Sequence, residues 1–512
     1  MFMRTERCGL GISSEYLVTV SIVTIITLAS TLFMLSCTSP ELSWDEAGYV
    51  AATSNQWGSL WGGWIYNRHQ HGPMAIYLTK LGQEVLPAGA GSIEDRLRFF
   101  VAFVSSVGIG FSYWTLRYSF KTSRASALVG AGLLLFSVVR LEETNIIGPH
   151  HLMLMCTLAM VGLGYQWRDR PTLPAAIGLG TVIAFGAVSM SYVIPATLCW
   201  AVAVGLAGAG WFAWDRTHFK VSWSIVVMLS TAAIIAVALW PPGVLHYRII
   251  SDFWFYLHYS HHPTLVDDRI FEVAPRWAAI YWLAHLDAPI LLFSTSILLV
   301  ALCKAFRSGR LSCKQIYLGT CLAFFFTTAM AAHIAGARNL LQFIGVLCLA
   351  TGALFDEALG YKPLLVRFSS AAIMILAALN LVWFSQISSY LPYFATDGYQ
   401  AFVKENEVRL REKAKALVYG LAIFSFYSQR PGTPVAWELS DMLWTTRADT
   451  PLAADVRYVL MPAFVYNYMP ADQPMRHIVA EHWNMVWSFK AKHAWELRLY
   501  EKPLSSGNLP QP

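Results

Sequence analysis

Long apolar runs, separated by short basic segments, dominate the first three quarters of the chain. The first run extends from Tyr16 to Ser36, and it is long enough to cross a membrane as a helix, which takes about 20 apolar residues. Spanning segments are helical because the bilayer offers no water to bond free backbone groups. Further runs, several of them shorter, follow at 99–116, 125–139, 150–166, 173–190, 192–213, 221–240, 288–303, 316–332, 339–354 and 364–385. The pattern predicts an all-α polytopic membrane protein with about eleven transmembrane helices.

The composition agrees with this pattern. Apolar residues make up 56% of the chain and charged residues only 13%, against about 25% charged residues in soluble domains. The net charge is +6, but the basic residues lie in small groups between apolar runs, so we expect no nucleic-acid partner. The eight cysteines contain no CxxC pair, which gives no indication of a disulfide framework or a zinc site.

The short basic loops define an orientation, because loops rich in Lys and Arg stay cytoplasmic. With the N-terminus inside, one side of the membrane receives Arg4, Arg7, Arg117, Lys121, Arg124, Arg168, Arg170, Arg216, Lys220, Lys304, Arg307, Arg310, Lys314, Lys362 and Arg367. This predicts a multi-pass protein of a plasma membrane of the bacterial inner-membrane type, with a cytoplasmic N-terminus. The long polar stretches 37–98 and 241–287 then lie outside, together with the short loops 140–151 and 333–338.

The character of the chain changes near residue 387. Residues 1–386 hold the predicted spans, whereas residues 387–512 have ordinary polarity, with an amphipathic stretch from Tyr399 to Ala416. Runs beginning at Ala416, Val456 and Glu496 cluster or alternate apolar residues as strands do. We therefore predict a small α/β extracytoplasmic domain over 387–512.

An acidic pair follows the first predicted helix, in the segment Ser43-Trp44-Asp45-Glu46-Ala47-Gly48-Tyr49. One interpretation is structural, since acidic residues stabilise helix N-termini by capping and through the macrodipole. The other is catalytic, with one carboxylate as a general base and its neighbour orienting a substrate or a metal ion. The spacing alone does not separate the two.

A basic element comes about 25 residues later, in the segment that runs from Tyr66 through Arg68 and His71 to Pro73 and Met74, before an apolar, helix-like run. A first spanning helix, an Asp-Glu pair, and a basic residue before a proline and an apolar helix occur in that order. This order resembles the GT-C membrane glycosyltransferases, nearest to the branch of the dolichyl-phosphate-mannose protein mannosyltransferases and the bacterial lipid A aminoarabinose transferases. The counterparts of the family elements here are Asp45–Tyr49, His71–Met74 and Asp95–Arg98.

The resemblance covers most of residues 10–385, and its strongest part is the predicted first outer loop, 37–98. At 148–152 the sequence reads Gly-Pro-His-His-Leu, where relatives often have an Arg-x-Asp element. The acid is therefore missing, although Glu142 and Glu143 lie nearby. Later, His333 and the segment Arg338–Leu341 are similar to the family's Arg-Tyr-Leu-Leu element.

The resemblance implies inverting transfer of a sugar from a polyprenyl-phosphate donor to an acceptor hydroxyl at the outer face. It implies Asp45 as the base, with Glu46 in support or as a metal ligand, so a divalent metal ion is left open as cofactor. Arg68, His71 and Arg338 would bind the donor phosphate, for which arginine is a good planar partner. The acceptor or sugar would meet Trp44, Tyr49, His150 and His333. The acceptor could be a glycan, a lipid or a protein, and membrane lipids complete the expected partners.

Two alternatives stay open at this stage. A lipid-carrier or glycan transporter, or flippase, would also have many helices, but it should carry ionisable residues in mid-span, and the charges here lie mainly at the ends of the runs. An inactive GT-C-like scaffold is compatible with the missing second acid. His71 and Arg338 also have an ordinary interpretation, as residues that anchor the chain at the membrane interface.

Overall fold

The computed structural model describes residues 14–36, 49–50, 73–87, 89, 92–144, 147–169, 171–189, 217–241, 264–266, 269–271, 277–331, 337–360, 363–387, 398–419, 421–428, 435–441, 455–463, 483–490 and 496–503. These residues form a mostly helical protein with a small sheet near the C-terminus. The helices before that sheet are α1 (Ser14–Ser36), α2 (Met74–Val85), α3 (Ile93–Tyr118), α4 (Arg124–Phe136), α5 (Val138–Thr144), α6 (His150–Asp169), α7 (Leu173–Ser189), α8 (Thr217–Leu239), α9 (Ala278–Leu286), α10 (Ala288–Arg307), α11 (Cys313–Ala331), α12 (Ala337–Leu359) and α13 (Pro363–Ile387).

Most of the apolar runs coincide with these helices, and the run 192–213 lies outside the described residues. Within the described part, four segments are long and apolar enough to cross a membrane by length and composition: Ser14–Ser36, Ile93–Tyr118, Ala288–Arg307 and Leu340–Leu359. In the apolar 18-residue window of the last segment, 89% of the residues are buried, against 22% in the first segment. Helix α12 is therefore the central helix of the bundle, whereas α1 exposes most of its surface at the periphery.

One apolar run is not a single helix. The run 125–139 is interrupted at Ser137, which separates α4 from the short helix α5. The expectation that residues 140–151 form a loop is wrong in its first part, because Arg140 to Thr144 are helical and Arg140 is fully buried. The break depends on side chains from distant parts of the chain, which are described below.

The bundle has a basic end, which we define by Arg117, Lys304 and Lys314. There Lys314 Nζ lies 2.8 Å from Glu357 Oε1, and Lys304 Nζ donates to the carbonyl of Glu357 at 3.4 Å. The carboxylate of Asp356 accepts from both the backbone N–H and the hydroxyl of Ser123, each at 2.8 Å, and so caps the start of α4. These contacts join α4, α10, α11 and α12 at one end of the bundle.

The opposite end, which we call the site end, contains Met34, His150 and Asp287. The guanidinium of Arg140 on α5 reaches Met34 of α1, and Asp287, between α9 and α10, contacts Ser137. The C-terminal ends of α1 and α4 and the start of α10 therefore lie together at the site end.

The C-terminal part adds a five-stranded mixed sheet in the order β4-β3-β5-β7-β6. Its strands are β3 (Ala414–Val418), β4 (Trp437–Asp441), β5 (Val456–Pro462), β6 (Asn484–Phe489) and β7 (Leu497–Glu501), and its helices are α14 (Gly398–Glu405), α15 (Glu407–Leu410) and α16 (Leu421–Ser428). A separate antiparallel pair is formed by β1 (Thr264–Val266) and β2 (Arg269–Phe271). The three runs read as strands from the sequence lie in β3, β5 and β7, whereas the predicted amphipathic stretch divides into α14, α15 and the start of β3.

An aromatic stack forms the core of the sheet. The rings of Trp437 and Tyr458 are stacked with their centroids 4.6 Å apart, and Phe424 stacks on Trp437 at 6.3 Å. The indole N–H of Trp437 donates to the carbonyl of Arg409 at 2.8 Å, which satisfies the polar end of a buried aromatic group. This packing fixes α14, α15 and α16 against the sheet.

Candidate functional site

The end of the predicted acidic segment is buried at the site end. Tyr49 and Val50 are each 2% exposed, and they belong to one continuous cluster of buried apolar side chains that also contains Ile147, Trp240 and Phe402. Ile147 precedes α6, Trp240 follows α8, and Phe402 lies on α14. The predicted first outer stretch, the segment before α6 and the C-terminal sheet with its helices therefore meet in the same apolar cluster.

The second predicted outer loop approaches Tyr49 directly. A Cβ placed on Gly148 would lie 3.5 Å from Cε2 of Tyr49, and no other heavy atom of the described residues outside its immediate neighbours would lie within 4 Å of it. His150, two residues further on, begins α6 and is 4% exposed. Tyr49 and His150 were both predicted to face the acceptor or sugar, and the structure brings their segments together.

The basic element and the third family element come together around two helix starts. Pro73 precedes α2 at a φ of −72°, which is the backbone conformation that proline pre-sets for a helix start. Ser92 and Asp95 form a reciprocal capping box at the start of α3, with the Ser92 hydroxyl donating to Asp95 Oδ2 at 2.7 Å. The side chain of Arg96 on α3 donates to the carbonyl of Leu86, at the end of α2, at 3.1 Å. This hydrogen bond and the capping box both stabilise the turn between α2 and α3.

The start of α3 carries two buried charged residues. Glu94 and Arg98 are each 7% exposed and lie one turn apart, so they share a face of the helix. Ser105, about two turns further along, donates to the hydroxyl of Thr144 on α5 at 2.8 Å. This polar face of α3 thus connects the start of the helix to the short helix before His150.

A third group of polar residues surrounds the break between α4 and α5. Asp287 is fully buried and accepts from the Ser137 hydroxyl at 2.6 Å and from the N–H of Val138 at 2.8 Å. The side-chain amide of Asn380 on α13 donates to Asp287 at 2.9 Å. Carboxylates at this depth are tolerated only when they are well hydrogen-bonded.

The guanidinium of Arg140 bonds the free backbone carbonyls on the α4 side of the same break. Its Nε donates to the carbonyl of Leu134 at 3.2 Å, and its second terminal nitrogen donates to the carbonyl of Leu135. Its remaining nitrogen lies 3.0 Å from the sulfur of Met34. The last carbonyls of α4 lack intrahelical partners, and a basic side chain is favourable at a helix C-terminus.

Several predicted site residues lie outside what the structure describes. These are Trp44, Asp45, Glu46, Arg68, His71 and His333. Arg338 is the second residue of α12, so its backbone begins the central helix at the site end, and nothing is described of its side chain. The geometry of the predicted base and of the predicted phosphate ligands therefore stays a prediction.

Sequence reasoning passed over Arg140 and Asp287 as functional residues. Both are fully buried, and both stand at the edges of apolar runs, where a charge is ordinarily an interfacial residue. Asn380, within the run 364–385, could have indicated a buried polar contact in the sequence, because an amide inside an apolar helix needs a polar partner. Among the described residues, no group of three or more His, Cys, Asp and Glu side chains could hold a metal ion.

Comparison with solved structures defines the class of fold: the chain has the GT-C fold of polytopic membrane proteins. One such structure is ArnT from Cupriavidus metallidurans bound to undecaprenyl phosphate, with 12% sequence identity, a TM-score of 0.56, and coverage of 97% of this chain and 99% of that one. The apo state of the same protein matches with a TM-score of 0.53, 12% identity, and coverage of 95% and 98%. No protein-family model matches the chain, and no curated protein matches it by sequence.

A second solved structure of this class is the archaeal oligosaccharyltransferase AglB from Archaeoglobus fulgidus, in complex with an inhibitory peptide and a dolichol-phosphate. It matches with a TM-score of 0.57 and 11% identity, over 97% of this chain and 75% of that one. The expected resemblance to the GT-C fold, first drawn from the acidic and basic elements of residues 37–98, is thereby confirmed at the level of the fold.

Proposed function

We propose that the protein is a membrane glycosyltransferase that transfers a sugar from a polyprenyl-phosphate donor to an acceptor hydroxyl. The observation that carries the proposal is the match of nearly the whole chain to two GT-C structures, one bound to undecaprenyl phosphate and the other complexed with a dolichol-phosphate. The sequence elements of the first outer stretch support the same assignment, because they follow the order of the family's acidic and basic elements.

The proposed chemistry is an in-line displacement at the anomeric carbon. Asp45 removes the proton of the acceptor hydroxyl as it attacks, and Glu46 orients the acceptor or holds a divalent metal ion. The bond between the anomeric carbon and the phosphate oxygen breaks, and polyprenyl phosphate leaves with its negative charge neutralised by Arg68, His71 and Arg338. Attack from the side opposite the leaving group inverts the anomeric configuration.

The described geometry supports an acceptor site next to this centre. Tyr49, four residues after Asp45, packs beside Gly148, and the segment from Gly148 continues into His150. We place the acceptor or the sugar among Trp44, Tyr49, His150 and His333. Tyrosine and tryptophan suit this role because their apolar rings stack on sugars and their polar atoms hydrogen-bond.

We further propose that residues 1–386 form the transferase domain, with about eleven spans and a cytoplasmic N-terminus. Residues 387–512 then form an extracytoplasmic domain. The position of Arg117, Lys304 and Lys314 at one end of the bundle, and of Tyr49 and His150 at the other, supports this orientation. The apolar cluster that joins Tyr49 to Phe402 supports a position of the C-terminal domain above the acceptor site.

The experiment compares the purified wild-type protein with Asp45→Asn in nanodiscs. Release of free polyprenyl phosphate is measured from a panel of polyprenyl-phosphate sugars, with an envelope extract as the acceptor source. We expect wild-type turnover with at least one donor and a loss of about 10²-fold or more in Asp45→Asn, since removing a general base costs about 10²–10⁴-fold.

A matched control is Glu84→Gln, which neutralises an exposed carboxylate in the same outer stretch and should retain full turnover. If no donor is consumed by the wild type, the proposed reaction is wrong, and a carrier transporter or an inactive scaffold becomes the better description. If Asp45→Asn turns over like the wild type, the transferase stands and the base assignment fails.

A further inference from the structure

The interruption between α4 and α5 is held by two fully buried charges of opposite sign. Asp287 lies at the first turn of α5, and Arg140 caps the last turn of α4. Negative charge is favourable at the N-terminus of a helix and positive charge at its C-terminus. Each charge therefore stabilises the helix end for which its sign is suited.

The acidic half of this arrangement is fully hydrogen-bonded. Besides Ser137, Val138 and Asn380, Asp287 also accepts from the N–H of Val139 at 3.4 Å. Four donors converge on one carboxylate, which compensates for its removal from water. The amide of Asn380 additionally reaches the carbonyl of Phe136 at 3.4 Å, so α13 contacts both sides of the break.

The arrangement ties together segments that are far apart in the sequence. Asp287 ends the second long polar stretch, 241–287, and Arg140 belongs to the short helix that leads to Gly148 and His150. Thr144, at the end of that helix, receives the hydroxyl of Ser105 on α3. A rotation of α5 about the break would therefore carry Ile147 and Gly148 away from Tyr49.

We infer that Asp287 and Arg140 are positioning residues that hold α5 and the segment 147–149 against Tyr49, and so set the spacing of the two sides of the acceptor site. The inference rests on the proposed function only for its catalytic consequence. Its structural part, the dependence of the contact between Tyr49 and Gly148 on Asp287, can be measured without any turnover.

The chain offers a matched control at the start of α4, the end of that helix opposite to the break. Asp356 is also buried, at 3% exposure, and it caps the start of α4 through the N–H and hydroxyl of Ser123, as Asp287 caps the start of α5 at Ser137. Asp356→Ala therefore removes a buried capping carboxylate at the basic end. It should lower the stability without displacing the segment 147–149.

The experiment introduces Tyr49→Cys and Gly148→Cys together and measures the yield of the linked peptide after treatment with a short bismaleimide. Detection by mass spectrometry separates this product from links that involve native cysteines. We expect the yield to fall at least threefold or so when Asp287→Ala is added, to fall less with Asp287→Asn, which keeps one acceptor oxygen, and to be unchanged with Asp356→Ala.

The catalytic arm uses the same three changes at Asp287 and Asp356 without the introduced cysteines. A displacement of about 1 Å in a reacting pair costs up to about 10²-fold in rate, so we expect kcat to fall by about that factor in Asp287→Ala. The KM for the donor should be unchanged, because none of the proposed phosphate ligands belongs to α5 or to the segment 147–149. Asp287→Asn should restore part of kcat, and Asp356→Ala should retain wild-type kcat.

Two outcomes would overturn the inference. One is an unchanged crosslink yield and kcat in Asp287→Ala. The other is an equal loss in Asp356→Ala, which would indicate general destabilisation. If Asp287→Ala does not give a monodisperse protein, Asp287→Asn and Asn380→Leu decide the question, since the latter removes one donor to the carboxylate. If the wild type consumes no donor, the proposed function fails, and the crosslink yields still test the inference.

Discussion

Among the glycines that the structure describes, the one whose added Cβ would come closest to a backbone atom of another helix is Gly180, between α7 and α8. A Cβ placed on Gly180 would lie 2.4 Å from the carbonyl oxygen of Met228, 2.8 Å from Cβ of Thr231 and 3.2 Å from the N atom of Ala232. Two of these atoms belong to the backbone and cannot rotate away. Since carbon atoms in contact ordinarily lie about 3.5–4.0 Å apart, Gly180→Ala must separate the two helices by roughly 1 Å at this level.

The expected loss of stability follows from a comparison within α7. Gly178→Ala brings the same gain in helix propensity as Gly180→Ala, about 1 kcal/mol, but among the described residues its Cβ meets only Cδ1 of Leu163, at an ordinary 3.7 Å. The propensity terms cancel in the difference between the two variants. What remains is the cost of overpacking, about 1–3 kcal/mol, so Gly180→Ala should be the less stable variant by that amount.

The assay is thermal unfolding of the two purified variants in the same detergent, followed by intrinsic tryptophan fluorescence. A difference of 1 kcal/mol corresponds to a shift of about 2–4 °C in domains of 150–250 residues, and to less in a longer chain. Gly180→Ala should therefore unfold at least a degree or two below Gly178→Ala. If it unfolds at the same temperature or higher, the close approach of α7 and α8 as described here is wrong.

Two further predictions concern orientation and pH. Cys313 is exposed beside Lys314 at the basic end, so in intact cells a membrane-permeant maleimide should modify it and an impermeant one should not; modification by the impermeant reagent would reverse the proposed orientation. Burial, followed by the charge of Glu501, raises the pKa of Tyr458 from its ordinary value of 10.0 to about 12. Because the folded protein keeps this proton to a higher pH than the unfolded chain, the free energy of unfolding should fall as the pH rises from 10 through 12. The difference between ultraviolet titrations of the wild type and of Tyr458→Phe should show a tyrosine ionising near pH 12, and an ionisation near pH 10 would contradict the burial of this phenol.

The local pattern was sufficient to predict most of the long helices and three of the later strands. Apolar runs of helical length correspond to α3, α6, α8 and α13, and three short runs lie in strands β3, β5 and β7. Each of these elements carries its own signal over neighbouring residues, because helices and strands impose fixed periodicities on buried side chains.

The break at Ser137 could not be read from the same pattern. The residues on both sides of it are apolar, so the run 125–139 is continuous in the sequence. What interrupts the helix is a carboxylate 150 positions away and an amide that reaches Phe136 from 244 positions away. A single sequence contains no local signal for contacts over such distances.

The candidate site was predictable only in part, for a related reason. The family resemblance placed Tyr49 and His150 in one site, and the structure brings their segments together through Gly148. Spacing alone could not do so, since helices α2 to α5 and a long polar stretch separate the two residues in the sequence. The predicted base and phosphate ligands were likewise derived from the resemblance, and their test is functional.

The use of charge inside the bundle bears on the choice between an enzyme and a transporter. A carrier that moves an ion or a charged substrate needs ionisable groups along its path, and these must be able to change partners as the substrate passes. Asp287 and Arg140 instead have their described hydrogen bonds directed mainly to helix ends and to the break between α4 and α5. Groups held in this way are suited to fixing the geometry of the site end, because moving them would expose unsatisfied backbone atoms in an apolar surrounding. A break held by buried hydrogen bonds, at the same end of the bundle as a buried tyrosine and two adjacent buried histidines, favours a protein that positions reactants at one face of the membrane over one that carries them across it.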